Sequence, residues 1–164
     1  MEHEILTVDV LRCLDDERTI KIVVTSDDDG VPHPAVKESL RAEEGHLVYL
    51  DFIESSRSNR HMTKALWFDG KISVLLLTAD RRSFRIIARP LRAVTNTKRF
   101  EGYYREAKEK YGLDLATAWI LQPLEMSEGT LRKRVGEEAQ RRAYFNHLDR
   151  LALKTDGAPG FREN

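Results

Sequence analysis

The chain has 164 residues, of which 41% are hydrophobic and 33% are charged, a composition typical of a globular domain rather than a disordered chain. Lysine and arginine together number 27, as do aspartate and glutamate, so no overall positive field would recruit nucleic acid or an anionic membrane. A lone Cys13 cannot form an intrachain disulfide, the N-terminus is acidic, and no apolar run could cross a bilayer. We expect a cytoplasmic protein without a membrane or nucleic-acid partner.

Apolar periodicity and turn residues divide the first half of the chain into two helices and several short strands. Apolar residues at helical spacing favour a helix, whereas β-branched segments between Asp-Gly or Glu-Gly turns favour antiparallel strands. We predict a helix over residues 5–14, strands over 20–25, 31–40 and 47–52, a polar helix over 59–66 and a fully buried strand over 72–78.

The second half continues with strands and ends in a charged helix. We predict a strand over 84–88 that returns towards 92–94, a helix from a cap at 95–97 to Gly112, a strand at 119–121 closed by Pro123, a helix over 137–154 and a loose tail over 156–164. Residues 1–155 would then form one domain of barrel-like strands. Trp67 and Trp119 are expected to be packing residues.

The most specific polar pattern lies between Asp51 and Arg60. Directly after an apolar strand, this segment alternates hydroxyls, guanidiniums and an amide. Such a set offers several charge-assisted donors to a phosphate group. The same residues suit a solvated loop that caps a helix, with Ser58 or Asn59 as the cap. Both interpretations are compatible, because a helix N-terminus is itself an anion site.

Three segments together carry a resemblance to a known family: residues 25–34, residues 49–51 and residues 56–58. With them, residues 20–94 resemble the FMN-binding split-barrel superfamily related to pyridoxamine 5′-phosphate oxidase, and the chain as far as Pro123 fits more loosely. The resemblance implies a mainly β fold with flanking helices, an antiparallel split β-barrel of six or seven strands. It also implies a homodimer with FMN at the interface, held without a covalent bond.

The resemblance assigns the cofactor-binding residues by position. Arg57 would be the main phosphate ligand, with Ser56 and Ser58 as hydroxyl donors. The polar edge of the flavin would meet backbone groups of Val36, Lys37 and Glu38, and Ser83 would complete the site. Where the family often has a lysine after the arginine, this chain has Ser58, so Lys64 or Arg60 is expected to supply the missing charge.

Several residues have a second interpretation. Lys37 is as well suited to an exposed strand edge, where a charge discourages aggregation, and Trp119 is also a candidate to cover the open flavin face. The five histidines match no zinc pattern, so no metal site is expected.

The predicted function is that of an FMN-binding flavoprotein, an oxidoreductase of the pyridoxamine 5′-phosphate oxidase-related type that acts on an unidentified small molecule. No catalytic acid or base is assigned, and no glycine-rich nicotinamide-binding fingerprint is present. The alternatives are a non-catalytic flavin- or haem-binding module and a structural dimer that has lost its cofactor.

Overall fold

The computed structural model describes residues 5–142, which contain four helices and seven strands. The helices are α1 (Val8–Asp15), α2 (Arg57–Trp67), α3 (Lys98–Tyr111) and α4 (Leu131–Arg141). The strands are β1 (Ile20–Ser26), β2 (Pro32–Val36), β3 (Arg41–Glu43), β4 (His46–Asp51), β5 (Ile72–Leu77), β6 (Ser83–Val94) and β7 (Thr117–Glu128). The chain divides into two compact units, residues 1–128 and 129–164, and α4 belongs to the second. Within the described part, no helix combines the length and apolar character needed to cross a membrane.

All seven strands form one antiparallel sheet in the order β2-β1-β5-β6-β7-β4-β3. The two edge strands, β2 and β3, are consecutive along the chain and are joined only by residues 37–40, here called the crossing segment. Five residue steps span at most about 18 Å, so the sheet must curl until its edges nearly meet. The described strands leave this junction unpaired, which is the architecture of the predicted split barrel.

The crossing segment bonds to both sides of the split. The backbone N–H of Lys37 donates to the carbonyl of Lys21 on β1 at 2.8 Å. On the other side, the hydroxyl of Ser39 accepts from the N–H of Leu50 at 2.9 Å and donates to its carbonyl at 3.3 Å. Ser39 therefore gives β4 the donor and acceptor that a neighbouring strand would otherwise supply.

Alternation along β4 buries both of its faces. Leu47 and Tyr49 belong to the core inside the barrel, whereas Val48 and Leu50 belong to a second cluster that includes Tyr103 of α3. Residues of α1 and α2 close the first core: Val10, Cys13, Leu14 and Met62. This arrangement fixes the end of β4, and with it the start of the polar segment that follows.

Several strands differ from the sequence-based expectation, among them β3, which was not predicted. The strand predicted over 31–40 stops at Val36, because the crossing segment bonds to β1 and β4 instead. β5 alternates between buried and half-buried residues and is not fully buried. β7 continues past Pro123, which pairs with Ala88 at a register shift in the β6–β7 ladder. A proline is tolerated at such an irregularity, since a ladder hydrogen bond is interrupted there.

Two further expectations need correction. Trp67 is not a packing residue: it is 78% exposed, at the last position of α2. The charged helix begins at Leu131, six residues before the predicted start, and the remainder of the predicted 137–154 helix beyond residue 142 lies outside the described residues, as does the predicted tail. Trp119 is buried, as expected for a packing residue.

Replacing Ser39 with alanine tests the crossing segment. We expect Ser39→Ala to lower the free energy of unfolding by about 1–3 kcal/mol, because the N–H and carbonyl of Leu50 lose a buried partner. Urea unfolding measures the change. The matched control Ser55→Ala, at an exposed serine, should change stability by less than about 0.5 kcal/mol. Equal effects of the two substitutions would show that the Ser39 bonds do not hold the barrel closed.

Candidate functional site

The start of α2 presents a positively charged helix N-terminus. Ser56 is the N-cap, and its hydroxyl accepts from the N–H of Asn59 at 3.0 Å. The helix begins at Arg57, two residues earlier than predicted, so Arg57 and Ser58 occupy its first turn. That turn contains no acidic residue. The N–H groups there keep their attraction for an external anion.

The first turn of α2 separates its side chains into exposed cations and a buried serine. Arg57 and Arg60 are both exposed and form no ion pair with any residue from 5 to 142. Ser58 is only 2% exposed and faces the protein interior. Its predicted role as a hydroxyl donor is not tested by the structure, but its burial favours a packing role.

Asp51 organises the loop that leads into α2. Its carboxylate is almost fully buried and accepts from the ammonium of Lys37 at 3.2 Å and from the hydroxyl of Ser56 at 3.4 Å. The N–H of Ile53 donates to its other oxygen at 3.3 Å. Asp51 thus brings together two of the predicted site residues. We did not assign it a role from the sequence, although a lone carboxylate at the end of a buried strand was a usable signal.

Lys37 forms its polar contacts with other residues of the chain. Its side chain is only 13% exposed, pairs with Asp51 and lies 5.1 Å from the centre of the Tyr49 ring. Its backbone N–H donates to Lys21, and its carbonyl accepts from the N–H of Leu40 at 3.0 Å. Lys37 is therefore not an exposed strand-edge charge. Its backbone N–H is already bonded within the chain, so the predicted contact with a flavin ring has to use the second lone pair of its carbonyl.

Val36 and Glu38 flank Lys37, whose ammonium reaches Asp51 beside the cap of α2, whereas Ser83 opens a different strand. Val36 and Glu38 are exposed and line a groove beside the beginning of β1. Ser83 opens β6, where it pairs with Leu77 of β5, which in turn pairs with Ile20 at the start of β1. Helix α2 contacts the opposite end of β1, where the ring of His61 meets the hydroxyl of Thr25. Val36 and Glu38 are thus linked to the start of α2 through Lys37 and Asp51.

Polar contacts fix the orientation of α2 on the barrel. The Nδ1 of His61 lies 2.9 Å from the hydroxyl of Thr25 on β1, and its ring meets that of His33 edge-on at 5.7 Å. The ammonium of Lys64 forms an ion pair with Asp28 in the turn before β2. The charge of Lys64 is therefore matched within the chain, and its predicted role as a replacement phosphate ligand has to compete with that ion pair.

Trp119 supports α2 from inside the barrel. It is only 1% exposed, and its indole N–H donates to the side-chain oxygen of Asn59 at 3.0 Å. Since a fully buried ring cannot cover an external ligand, the packing interpretation of Trp119 is the one that the fold supports. The hydrogen bond also fixes the third residue of α2, next to the exposed arginine Arg60.

The sequence matches no family model and no curated protein. Solved structures do match. HupZ of Group A Streptococcus superposes with a TM-score of 0.64 at 16% identity, over 76% of this chain and 94% of HupZ. An FMN-binding protein from Syntrophomonas wolfei subsp. wolfei gives a TM-score of 0.57 at 13% identity, over 73% of this chain and 88% of that one.

A third structure, provisionally identified as a pyridoxamine 5′-phosphate oxidase, comes from Lactobacillus delbrueckii. It gives a TM-score of 0.57 at 18% identity and covers 77% of this chain and 97% of its own. At such identities the likeness concerns the fold. The chain therefore has the split-barrel fold of the FMN-binding and pyridoxamine 5′-phosphate oxidase-like proteins that its sequence resembles, and this prediction is confirmed.

The contact between His61 and Thr25 predicts a pH dependence of stability. Burial, and next the charge of His33, lower the pKa of His61 below its ordinary value. The unfolded chain then binds a proton more readily than the folded one, so stability falls as the pH drops from above about 6.5 through the lower folded pKa. We expect the melting temperature to decline less steeply between about pH 7.5 and 5 in His61→Gln than in the parent.

The matched control is His46→Gln, which replaces a histidine on β4 whose ring bonds to the carbonyl of Glu44. It should keep the steep decline of the parent. Identical slopes for the parent and His61→Gln would rule out His61 as the source of the pH dependence.

Proposed function

We propose that this protein binds FMN through its phosphate group and acts as an FMN-dependent oxidoreductase, related to pyridoxamine 5′-phosphate oxidase, on a small molecule. The similarity to an FMN-binding protein and to a provisional oxidase of that type supports a flavin ligand. The observation that carries the proposal is the pair of exposed arginines at the start of α2, Arg57 and Arg60, neither of which has an ionic partner among the described residues.

A phosphate dianion suits this position for three physical reasons. Two guanidiniums offer planar, charge-assisted donors that form no ion pair with a described carboxylate. The backbone N–H groups of Arg57 and Ser58 belong to the first turn, where an α-helix supplies no acceptor of its own. The helix dipole adds positive potential at the same end, and no acidic side chain in the first turn opposes it.

Burial of Ser58 explains how the site can lack the lysine that the family often has. Because position 58 faces the interior, the ammonium of a lysine there would start on the buried side of α2, away from a ligand on the exposed side. Arg60 lies three residues after Arg57, so the two side chains are neighbours on the helix surface. We infer that Arg60 supplies the second positive charge, in preference to Lys64, which pairs with Asp28.

When bound, the flavin would supply the hydride and electron chemistry, while the chain positions it and sets its electrostatic surroundings. Asp51 holds Lys37 and Ser56 in place behind the phosphate loop, and Lys37 balances its charge. Of the three residues proposed for the polar edge of the ring, Glu38 is the one whose backbone makes no hydrogen bond to another described residue. No side chain is assigned as an acid or a base.

We also propose that the protein is a homodimer with the cofactor at the interface. Ser83 opens β6, where it pairs with Leu77, whereas Arg57 opens α2. The resemblance implies that residues from two copies of the chain meet at the cofactor. A single subunit also exposes adjacent aromatic residues, Trp67 and Phe68, at 78% and 77%. Dimerisation is the commonest way to cover such a surface.

Removing the Arg57 guanidinium tests the phosphate assignment. We expect Arg57→Ala to weaken FMN binding at least about tenfold, since a charge-assisted hydrogen bond contributes about 1.5–3 kcal/mol. Titration followed by flavin absorbance or fluorescence gives the affinity. Riboflavin, which has no phosphate, should bind equally to the parent and the variant. The matched control Arg105→Ala, at an exposed arginine of α3, should leave FMN affinity unchanged.

Unchanged FMN affinity in Arg57→Ala would contradict the phosphate site. The same preparations separate the function classes. Oxidation of NADH or NADPH by the FMN-loaded parent supports the oxidoreductase, and FMN binding without any turnover supports a storage or sensing module. A protein that binds neither FMN nor riboflavin is a structural dimer or a binder of another planar ligand such as haem.

For the dimer, we expect sedimentation equilibrium at micromolar concentration to give about twice the chain mass of 18.9 kDa. The double substitution Trp67→Gln with Phe68→Gln should shift the equilibrium towards the monomer, because polar side chains no longer gain from burial. Val8→Gln, at an apolar residue of similar exposure on α1, is the control. A parent protein that stays monomeric throughout would refute the proposed assembly.

A further inference from the structure

A groove of about 520 Å³ lies on the barrel beside the crossing segment. The end of α1, the start of β1, the crossing segment and the end of α3 form its walls. Its volume is in the range of small-molecule sites. Five apolar or aromatic residues contribute to the lining: Leu14, Ile20, Val36, Leu40 and Tyr111. Arg57 and the rest of α2 are not part of it.

Lys21 is an incompletely satisfied cation in the wall of this groove. It is only 8% exposed, and its ammonium donates to the carbonyl of Leu14 at 2.5 Å. No carboxylate of residues 5–142 forms an ion pair with it, so two of its three N–H donors have no acceptor among the described residues. Burial, and next the charge of Lys110, lower the pKa of Lys21. A buried ammonium without a counter-ion is energetically costly.

Thr19 supplies a second, independent observation. It is buried, it lines the same groove, and its hydroxyl has no hydrogen-bond partner among the described residues. Buried hydroxyls are nearly always bonded, and an unbonded one costs about 1–3 kcal/mol. Two neighbouring polar groups, one of them charged, are thus left unsatisfied in the same wall.

We propose that this groove binds a small organic monoanion, a carboxylate with an apolar body, and that Lys21 is its ionic partner. The apolar lining takes the body of the ligand, and the ammonium of Lys21 receives the carboxylate. Arg41 and Lys110 add positive charge, although Arg41 is already paired with Glu43 and Glu106.

The other charges of the lining select a monoanion over a phosphate dianion. Asp15, Glu17 and Glu38 are exposed members of the lining and would repel a dianion. Arg18 is also exposed and is paired with Asp16, outside the lining. Of this lining, only Lys21 combines burial with a positive charge that forms no ion pair with a carboxylate of residues 5–142. The site does not depend on FMN, although Val36 and Glu38 belong to its lining.

Benzoate is the probe that tests this site, with benzamide as a neutral analogue of the same shape. We expect benzoate, titrated into the full-length protein and followed by ¹H–¹⁵N NMR, to shift the amides of Thr19, Lys21 and Ser39 saturably. Benzamide should bind more weakly. Lys21→Met preserves side-chain length and removes the buried charge, so it should fold and should lose benzoate affinity about tenfold or more.

The control Lys71→Met, at an exposed lysine before β5, should bind benzoate as the parent does. Absence of a saturable shift, equal binding of benzoate and benzamide, or full affinity in Lys21→Met would each overturn the proposal. The flavin site is tested separately in the same variants. Arg57→Ala should weaken FMN and not benzoate, and Lys21→Met should weaken benzoate and not FMN, so that failure of one proposal is distinguishable from failure of the other.

Discussion

The constraint on which the structure depends is the length of the crossing segment. Four residues join the two edge strands of a seven-stranded sheet, and so short a connection forces the sheet to curl almost into a closed barrel. The segment cannot pair as a strand with both sides at once. Backbone bonding to Lys21 on one side and the hydroxyl of Ser39 on the other replace that pairing. The barrel is therefore split, and yet it is held together at the split.

The same segment determines where charges lie. Lys37 follows β2 and turns towards Tyr49 and Asp51, whereas Val36 and Glu38 line the groove. The ion pair with Asp51 links the crossing segment to Ser56, the cap of α2. The two proposed ligand sites therefore have different cations, the exposed arginines of α2 and the buried Lys21, although Val36 and Glu38 belong to both. Substitutions of those cations test the two sites separately.

The sequence was most informative where local chemistry decides the structure. Gly30 and Gly112 adopt positive φ angles, at the turn before β2 and the end of α3, as their surroundings predict. Contacts between residues that are distant along the chain were not predictable. The end of β2 depends on Lys21 and Leu50, and the passage of β7 through Pro123 depends on a register shift against β6. Trp67 was misassigned because helical position alone does not reveal which face the barrel covers. The assignment of Arg57 to phosphate binding stays a prediction, whereas the partnership of Lys37 with Asp51 became visible only in the fold.

A chain with equal numbers of acidic and basic residues can still bind anions if burial and pairing distribute those charges unevenly. Several described cations have a carboxylate partner, as Lys37, Arg41 and Lys64 do. Arg57 and Arg60 differ because they are exposed at a helix N-terminus without a partner, a setting that suits a solvated phosphate. Lys21 differs because it is buried and its ammonium bonds to a single carbonyl. In such a setting the Coulomb attraction between the ammonium and a carboxylate is stronger than at the surface. Selectivity between the two anions then follows from the depth of each cation and not from the net charge of the protein.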